Sequence, residues 1–292
     1  VFGDIGTSPL YTLKAIFKIA LGEHKGSTPQ TIDEALVLGA LSCIIWTLTL
    51  QTTIKYVIVT LRADNKGEGG IFSLYSLVRK KAKWLVIPAI IGGAALLADG
   101  MITPSITVTS AIEGLQLKFP TLEVFPIVIS IIALLFIIQQ FGTNLVGKLF
   151  GPIMLLWFIA LGAMGFMNII HSPFILKALN PYYAINLLAT NSEAFLILGG
   201  VFLCTTGAEA LYSDLGHCGK RNIRVSWIFV KTMLILNYLG QGAWILTHVD
   251  KDLRAINPFF ELVPSSMVLY LVGLATMAAV VASQAMISGA FT

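Results

Sequence analysis

Three carboxylates sit where a carboxylate is costly. Asp4 lies in Gly3-Asp4-Ile5-Gly6-Thr7-Ser8-Pro9, Asp99 in Ala98-Asp99-Gly100-Met101-Ile102-Thr103-Pro104, and Glu209 in Thr205-Thr206-Gly207-Ala208-Glu209. Each interrupts a long apolar stretch and pairs an acid with Gly, Thr or Pro. A charge at bilayer depth costs at least ~2.5–3.5 kcal/mol, so three in one small bundle argue for a shared polar cavity. Thr103 follows Asp99 by four residues and Thr206 precedes Glu209 by three, spacings that put each hydroxyl on the helical face of its acid. Carboxylate and hydroxyl oxygens so arranged can hold a hard monovalent cation, together with backbone carbonyls freed where a helix unwinds. Gly3, Gly6 and Pro9 are the expected helix breaks in the first stretch and Gly207 in the later one. The alternative use of these residues is structural: Gly and Thr for close helix packing, Pro for a kink.

The elements that must position these acids follow from composition. Of 292 residues, 56% are hydrophobic and only 12% charged, with mean hydropathy +0.84. A soluble domain cannot hide that much apolar surface with so few charges, which excludes a water-soluble enzyme and leaves an all-α polytopic membrane protein. About 20 apolar residues cross the hydrocarbon core, which predicts helices near 5–20, 34–60, 84–112, 124–141, 148–171, 193–214, 225–248 and 265–292. All belong to one transmembrane domain, 1–292, with a cytoplasmic loop at 61–83. Both ends of the chain read as cut, with later segments missing.

Charge sets the expected orientation. If the first helix runs outward, one side collects Arg62, Lys66, Arg79, Lys80, Lys81, Lys83, Lys148, Lys220, Arg221 and Arg224, while the other holds Lys25, Lys118, Lys177, Lys251 and Arg254. The positive-inside rule then places the start of helix one in the cytoplasm. Lys18 can snorkel from a helix end, whereas Lys14, Lys55 and Lys231 need a polar neighbour or a wet cavity. Lys55 and Lys231 could instead counter the buried acids. The formal net charge of +4 comes without a basic patch interleaved with aromatics, so no nucleic-acid partner is expected. Cys43, Cys204 and Cys218 suggest neither a disulfide framework nor a metal site, and His24, His171, His217 and His248 have no metal-ligand spacing. No cofactor and no transition metal are expected.

A short echo relates the first and sixth stretches: Gly6-Thr7-Ser8-Pro9-Leu10-Tyr11 and Gly207-Ala208-Glu209-Ala210-Leu211-Tyr212 share Gly, Leu and Tyr at matching positions. Five helices separate the two starts, which would invert the second copy. Paired interrupted helices in inverted halves point to a transporter's midplane site.

Four strings carry a resemblance. Gly3-Asp4-Ile5-Gly6-Thr7-Ser8-Pro9-Leu10-Tyr11, Arg62-Ala63-Asp64-Asn65-Lys66-Gly67-Glu68-Gly69-Gly70, Gly100-Met101-Ile102-Thr103-Pro104-Ser105 and Ala282-Ser283-Gln284-Ala285-Met286-Ile287-Ser288-Gly289-Ala290-Phe291 closely resemble signatures of the KUP/HAK/KT potassium-uptake permeases. The resemblance implies about twelve transmembrane helices, of which about eight are present here. It also implies a LeuT-like inverted-repeat core of the APC superfamily, a cytoplasmic C-terminal domain and a homodimer joined through that missing region. It implies K⁺ import, generally coupled to H⁺, across a bacterial inner membrane. Carried over by position, the family's ion site falls on Asp4, Tyr11, Asp99, Thr103, Thr206 and Glu209. Tyr11 is the addition to the residues that lipid cost already selects.

Three acids facing one cavity cannot all stay ionised around a single K⁺, so the site is expected to hold a titratable proton shared among Glu209, Asp99 and Asp4. Glu209 is favoured as its carrier because a break at Gly207 lets it move. An amino-acid carrier of the same architecture would offer a half-helix N-terminus rather than three acids to a substrate carboxylate. A K⁺ channel would need a carbonyl-lined pore loop, and no TVGYG-like segment occurs. An intramembrane enzyme could use Asp4 and Asp99 as a dyad, but the third acid and the hydroxyls argue against it. The loop from Arg62 to Gly70 reads either as a gate contact or anion nest or, slightly better, as a solvated turn.

Overall fold

The computed structural model describes residues 2–21, 33–139, 147–248 and 256–291. Lys25, His24, Lys251, Arg254 and the end of the stretch predicted at 124–141 lie outside them, as does the side chain of Lys148. Among the described residues there is no strand beyond an isolated bridge between Asn65 and Glu68. The described residues are mostly helical, and among them six helices are long and apolar enough to cross a membrane: Glu34–Arg62, Lys83–Leu117, Leu149–His171, Ala194–Ser213, Lys220–Thr247 and Val268–Ile287. The chain is a multi-pass membrane protein.

In chain order the α-helical pieces are α1 (Gly3–Thr7), α2 (Thr12–Leu21), α3 (Glu34–Thr47), α4 (Ile71–Val78), α5 (Val86–Glu113), α6 (Val124–Gln139), α7 (Gly147–His171), α8 (Pro181–Thr190), α9 (Ala194–Phe202), α10 (Ala210–Ser213), α11 (Leu215–Cys218), α12 (Lys220–Thr247) and α13 (Val268–Phe291). From Leu48 to Val59 the helix begun by α3 continues with π winding, a rare geometry frequent at functional sites. α5 continues through Pro104.

Two of the predicted stretches are broken, around Pro9 and at Gly207. Between α1 and α2 the chain tightens into a 3-10 turn, Ser8–Leu10, with Pro9 contributing no N–H. Between α9 and α10 a 3-10 turn, Leu203–Thr205, leads into extended backbone at Thr206 and then Gly207, whose φ of 81° suits glycine. Gly3 and Gly6, expected to unwind the first stretch, are helical instead. Their smallness serves packing: a Cβ on Gly3 would stand 2.9 Å from the Cα of Ala282 in α13, and one on Gly6 would stand 2.6 Å from the Phe158 ring of α7. Two loops are also more structured than hydropathy suggests. The segment 61–83 contains α4, and Lys220, Arg221 and Arg224, expected in a loop, lie in the first turns of α12.

The short broken helix is the centre of the bundle. Ile5, Leu10, Leu13, Ile16 and Phe17 are buried, as are the stretch of α3 from Val37 to Ile45 and the stretch of α12 from Asn237 to Ile245. α7 and α12 form a close pair, with Gly165 and Gly240 facing each other where backbones meet and no Cβ would fit. The outer helices reverse the soluble pattern. Ile90, Ile91 and Ile102 of α5, Phe125 and Ile129 of α6, and Leu155, Phe166 and Met167 of α7 turn outward, a surface suited to lipid rather than water.

Candidate functional site

The two breaks meet. Asp4, in α1 just before the first break, is 4% exposed, and Gly207 of the second break packs so closely on it that a Cβ there would stand 2.7 Å from both the Cβ and Oδ2 of Asp4. Neither oxygen of Asp4 has a hydrogen-bond partner among the described residues. A buried carboxylate left in that condition is expensive unless something else completes it. Asp4 lies within electrostatic reach of both Asp99 and Glu209.

The other acids are partly held. Thr103 donates its hydroxyl to Asp99 Oδ1 at 2.6 Å, the bond that a four-residue spacing on α5 permits, while Asp99 Oδ2 has no partner among the described residues. Glu209 lies close enough to Asp99 to feel its charge. Two ionised carboxylates have no hydrogen to offer, so this approach is favourable only with a proton or a cation between them. Tyr11 ends the 3-10 turn of the first break, buried near Thr206 and in the field of Asp4. Thr206 also donates to the carbonyl of Leu203 at 2.9 Å. The structure therefore brings Asp4, Tyr11, Asp99, Thr103, Thr206 and Glu209 together from three separate stretches. Among the described residues no three of the His, Cys, Asp and Glu side chains converge tightly enough to cage a metal ion. The oxygens available are a mixture of carboxylate and hydroxyl, which suits a weakly held, exchangeable ion better than a chelated one.

The carbonyls freed at the first break are not idle. Trp157 Nε1 donates to Gly6 O at 2.8 Å, Gln241 Nε2 to Pro9 O at 3.1 Å, and Asn257 Nδ2 to Leu10 O at 2.8 Å. These orphan groups, which sequence reasoning offered as ion ligands, are instead capped by side chains. Gln241 also donates to Asn237 Oδ1 at 2.8 Å, and the Tyr238 hydroxyl sits 3.0 Å from Ser8 Oγ and donates to Thr12 at 3.3 Å. None of these capping residues was singled out from sequence. A signal existed for Asn237 and Gln241, two amides four residues apart in an uncharged stretch; Trp157 offered none.

The lysines are accounted for away from the acids. Lys14 Nζ pairs with Glu113 Oε2 at 2.7 Å, tying α2 to the end of α5. Lys231 donates to Thr49 Oγ1 at 3.0 Å, and exposed Lys55 stands 5.1 Å from the Tyr56 ring centroid. Neither counters Asp4, Asp99 or Glu209, since each is taken up by a nearer group.

A family model described as the K⁺ potassium transporter integral membrane domain matches residues 1–292. A probable potassium transport system protein Kup of Flavobacterium johnsoniae is 57% identical over 301 residues, covering 100% of this chain and 44% of the relative. Proteins described as probable potassium transport system protein Kup 1 of Lactococcus lactis subsp. lactis and probable potassium transport system protein Kup of Enterococcus faecalis are each 56% identical over 100% of the chain, covering 44% and 45% of their lengths. The chain thus spans less than half the length of these relatives. No solved structure matches it.

Proposed function

Since the chain belongs to the K⁺ potassium transporter family, we propose that it supplies the ion-binding half of a secondary active K⁺ uptake system in the plasma membrane, a bacterial inner membrane. Asp4, Tyr11, Asp99, Thr103, Thr206 and Glu209 surround K⁺ at the meeting of the two breaks. The observation that carries this reading is the buried Asp4 carboxylate, unpartnered on both oxygens and faced by two further acids. A desolvated anion of that kind recruits a cation, and hydroxyls complete the shell in place of water.

Uptake is coupled to H⁺. Asp99 and Glu209 lie close enough to repel each other when both are ionised, so the site takes either a proton between them or a cation beside them, and loading both neutralises the cluster. Glu209 carries the proton, because Gly207 gives its end of the break freedom to turn. The fold is LeuT-like, and the bundle containing both broken helices rocks to open the site alternately to each side. Helix one runs outward from the cytoplasm, and a homodimer forms through the missing C-terminal region. The paired breaks support this architecture, as the family membership supports the substrate.

The test is growth of K⁺-uptake-deficient cells at low K⁺ on full-length Asp4→Asn, Asp99→Asn and Glu209→Gln. Each is expected to fail to grow at low K⁺ while being made and inserted normally. Wild-type growth on all three would end the proposal.

A further inference from the structure

The dense motif from Arg62 to Gly70 is not a free turn. The Tyr212 hydroxyl of α10 donates to the carbonyl of Ala63. Gly69 lies against the Tyr212 carbonyl, where a Cβ would overlap it, and Gly216 lies against the Glu68 carboxylate. The loop is internally braced for this contact. Asn65 and Glu68 exchange backbone hydrogen bonds at 3.0 and 3.1 Å across a tight turn with Lys66 and Gly67 at positive φ. Ser73 Oγ donates to Glu68 O at 3.0 Å, and Asn65 Nδ2 to Ser76 Oγ at 2.9 Å.

Each end of this braced segment leads to an acid. Tyr212 follows Glu209 by one turn, its N–H bonded to the Glu209 carbonyl at 3.0 Å. On the other side Gly70 turns the chain, at φ 95°, into α4. α4 then packs on α5: a Cβ on Gly93 would stand 2.8 Å from the Phe72 ring, and one on Gly92 would stand 3.5 Å from Ile71. Gly93 precedes Asp99 by six residues, about 9 Å along the same helix.

We propose that Ala63–Phe72 is a positioning strap that joins the Glu209 half of the second broken helix to the Asp99 helix, and so sets how closely these two acids meet. Tyr212, Gly69, Gly93 and Phe72 are its positioning residues, acting through Glu209 and Asp99 rather than on the ion. The proposal rests on the transport reading above.

The experiment is uptake of labelled Rb⁺ by full-length wild type, Tyr212→Phe, Gly93→Ala and Gly93→Ala with Phe72→Ala, with the amount of protein in the membrane measured for each. Tyr212→Phe loses one hydrogen bond to the strap and is expected to raise KM roughly three- to tenfold with the rate per copy at saturation changed much less. Gly93→Ala, which pushes on the Phe72 ring, should act in the same direction, and removing that ring should return KM toward wild type. Variants with wild-type KM and reduced abundance only would overturn the strap while leaving the transport reading intact, as would a double variant no better than Gly93→Ala. A wild-type protein that takes up no Rb⁺ would overturn the transport reading and the strap with it.

Discussion

Gly207→Ala is the most informative single change at the meeting of the two breaks. Two costs can be worked from the structure. At φ 81° an alanine occupies the left-handed region, at about 1–2 kcal/mol. Its Cβ would also stand 2.7 Å from the Cβ and Oδ2 of Asp4 and 3.0 Å from its Cγ, so either the carboxylate or the break must shift. Overpacking of this kind costs about 1–3 kcal/mol. If that second cost falls on the position of Asp4, apparent K⁺ affinity drops roughly five- to 150-fold. The assay is thermal unfolding of detergent-purified protein across a K⁺ titration, beside Rb⁺ uptake in cells. Gly199→Ala is the internal control, since a Cβ there meets nothing within 4 Å and its helical backbone favours alanine. Gly207→Ala behaving as mildly as Gly199→Ala, in both stability and K⁺ response, would refute the reasoning.

Thr103→Val keeps shape but removes the 2.6 Å bond to Asp99, which should weaken apparent K⁺ affinity roughly 10- to 150-fold while Thr103→Ser restores most of it; equal affinities for Val and Ser would contradict the geometry. Trp157→Phe strips the donor from the Gly6 carbonyl and should destabilise the protein by about 1–3 kcal/mol, read as a lower thermal midpoint in detergent. The Lys14–Glu113 pair, with side chains 29% and 30% exposed, is expected to couple by no more than about 1 kcal/mol in a double-mutant cycle of Lys14→Met and Glu113→Gln, and a coupling several times larger would show that the pair is far better shielded than its exposure indicates.

The long helices were legible because each of them, like the uncharged stretch that becomes α6, leaves no other way to satisfy its backbone in lipid. The acids stood out for the same reason in reverse: Asp4, Asp99 and Glu209 are costly in lipid, and the fold gathers them near the meeting of the two breaks. Hydropathy could not say where a helix stops being regular. Gly3 and Gly6 looked like breakers, yet glycine in a packed helix is equally a contact surface, and the break falls at the 3-10 turn around Pro9. The caps on the freed carbonyls were invisible for a related reason. Trp157, Gln241 and Asn257 are distant in sequence from Gly6, Pro9 and Leu10, and only the fold brings a donor to each. The loop at 62–70 read as solvated because its glycines and charges fit a turn; its tight seat on Tyr212 and Gly216 depends on where the second broken helix ends.

The central claim is that the unpartnered Asp4 carboxylate, with Asp99 and Glu209, binds K⁺ in a site that also loads a proton. Its most direct test is labelled Rb⁺ uptake into vesicles holding the full-length protein, with and without an inward proton gradient, for wild type and Asp4→Asn. Uptake that the gradient accelerates in wild type, and that Asp4→Asn abolishes at equal protein content, is the predicted result. Gradient-independent uptake, or an Asp4→Asn protein that transports as well as wild type, would contradict it.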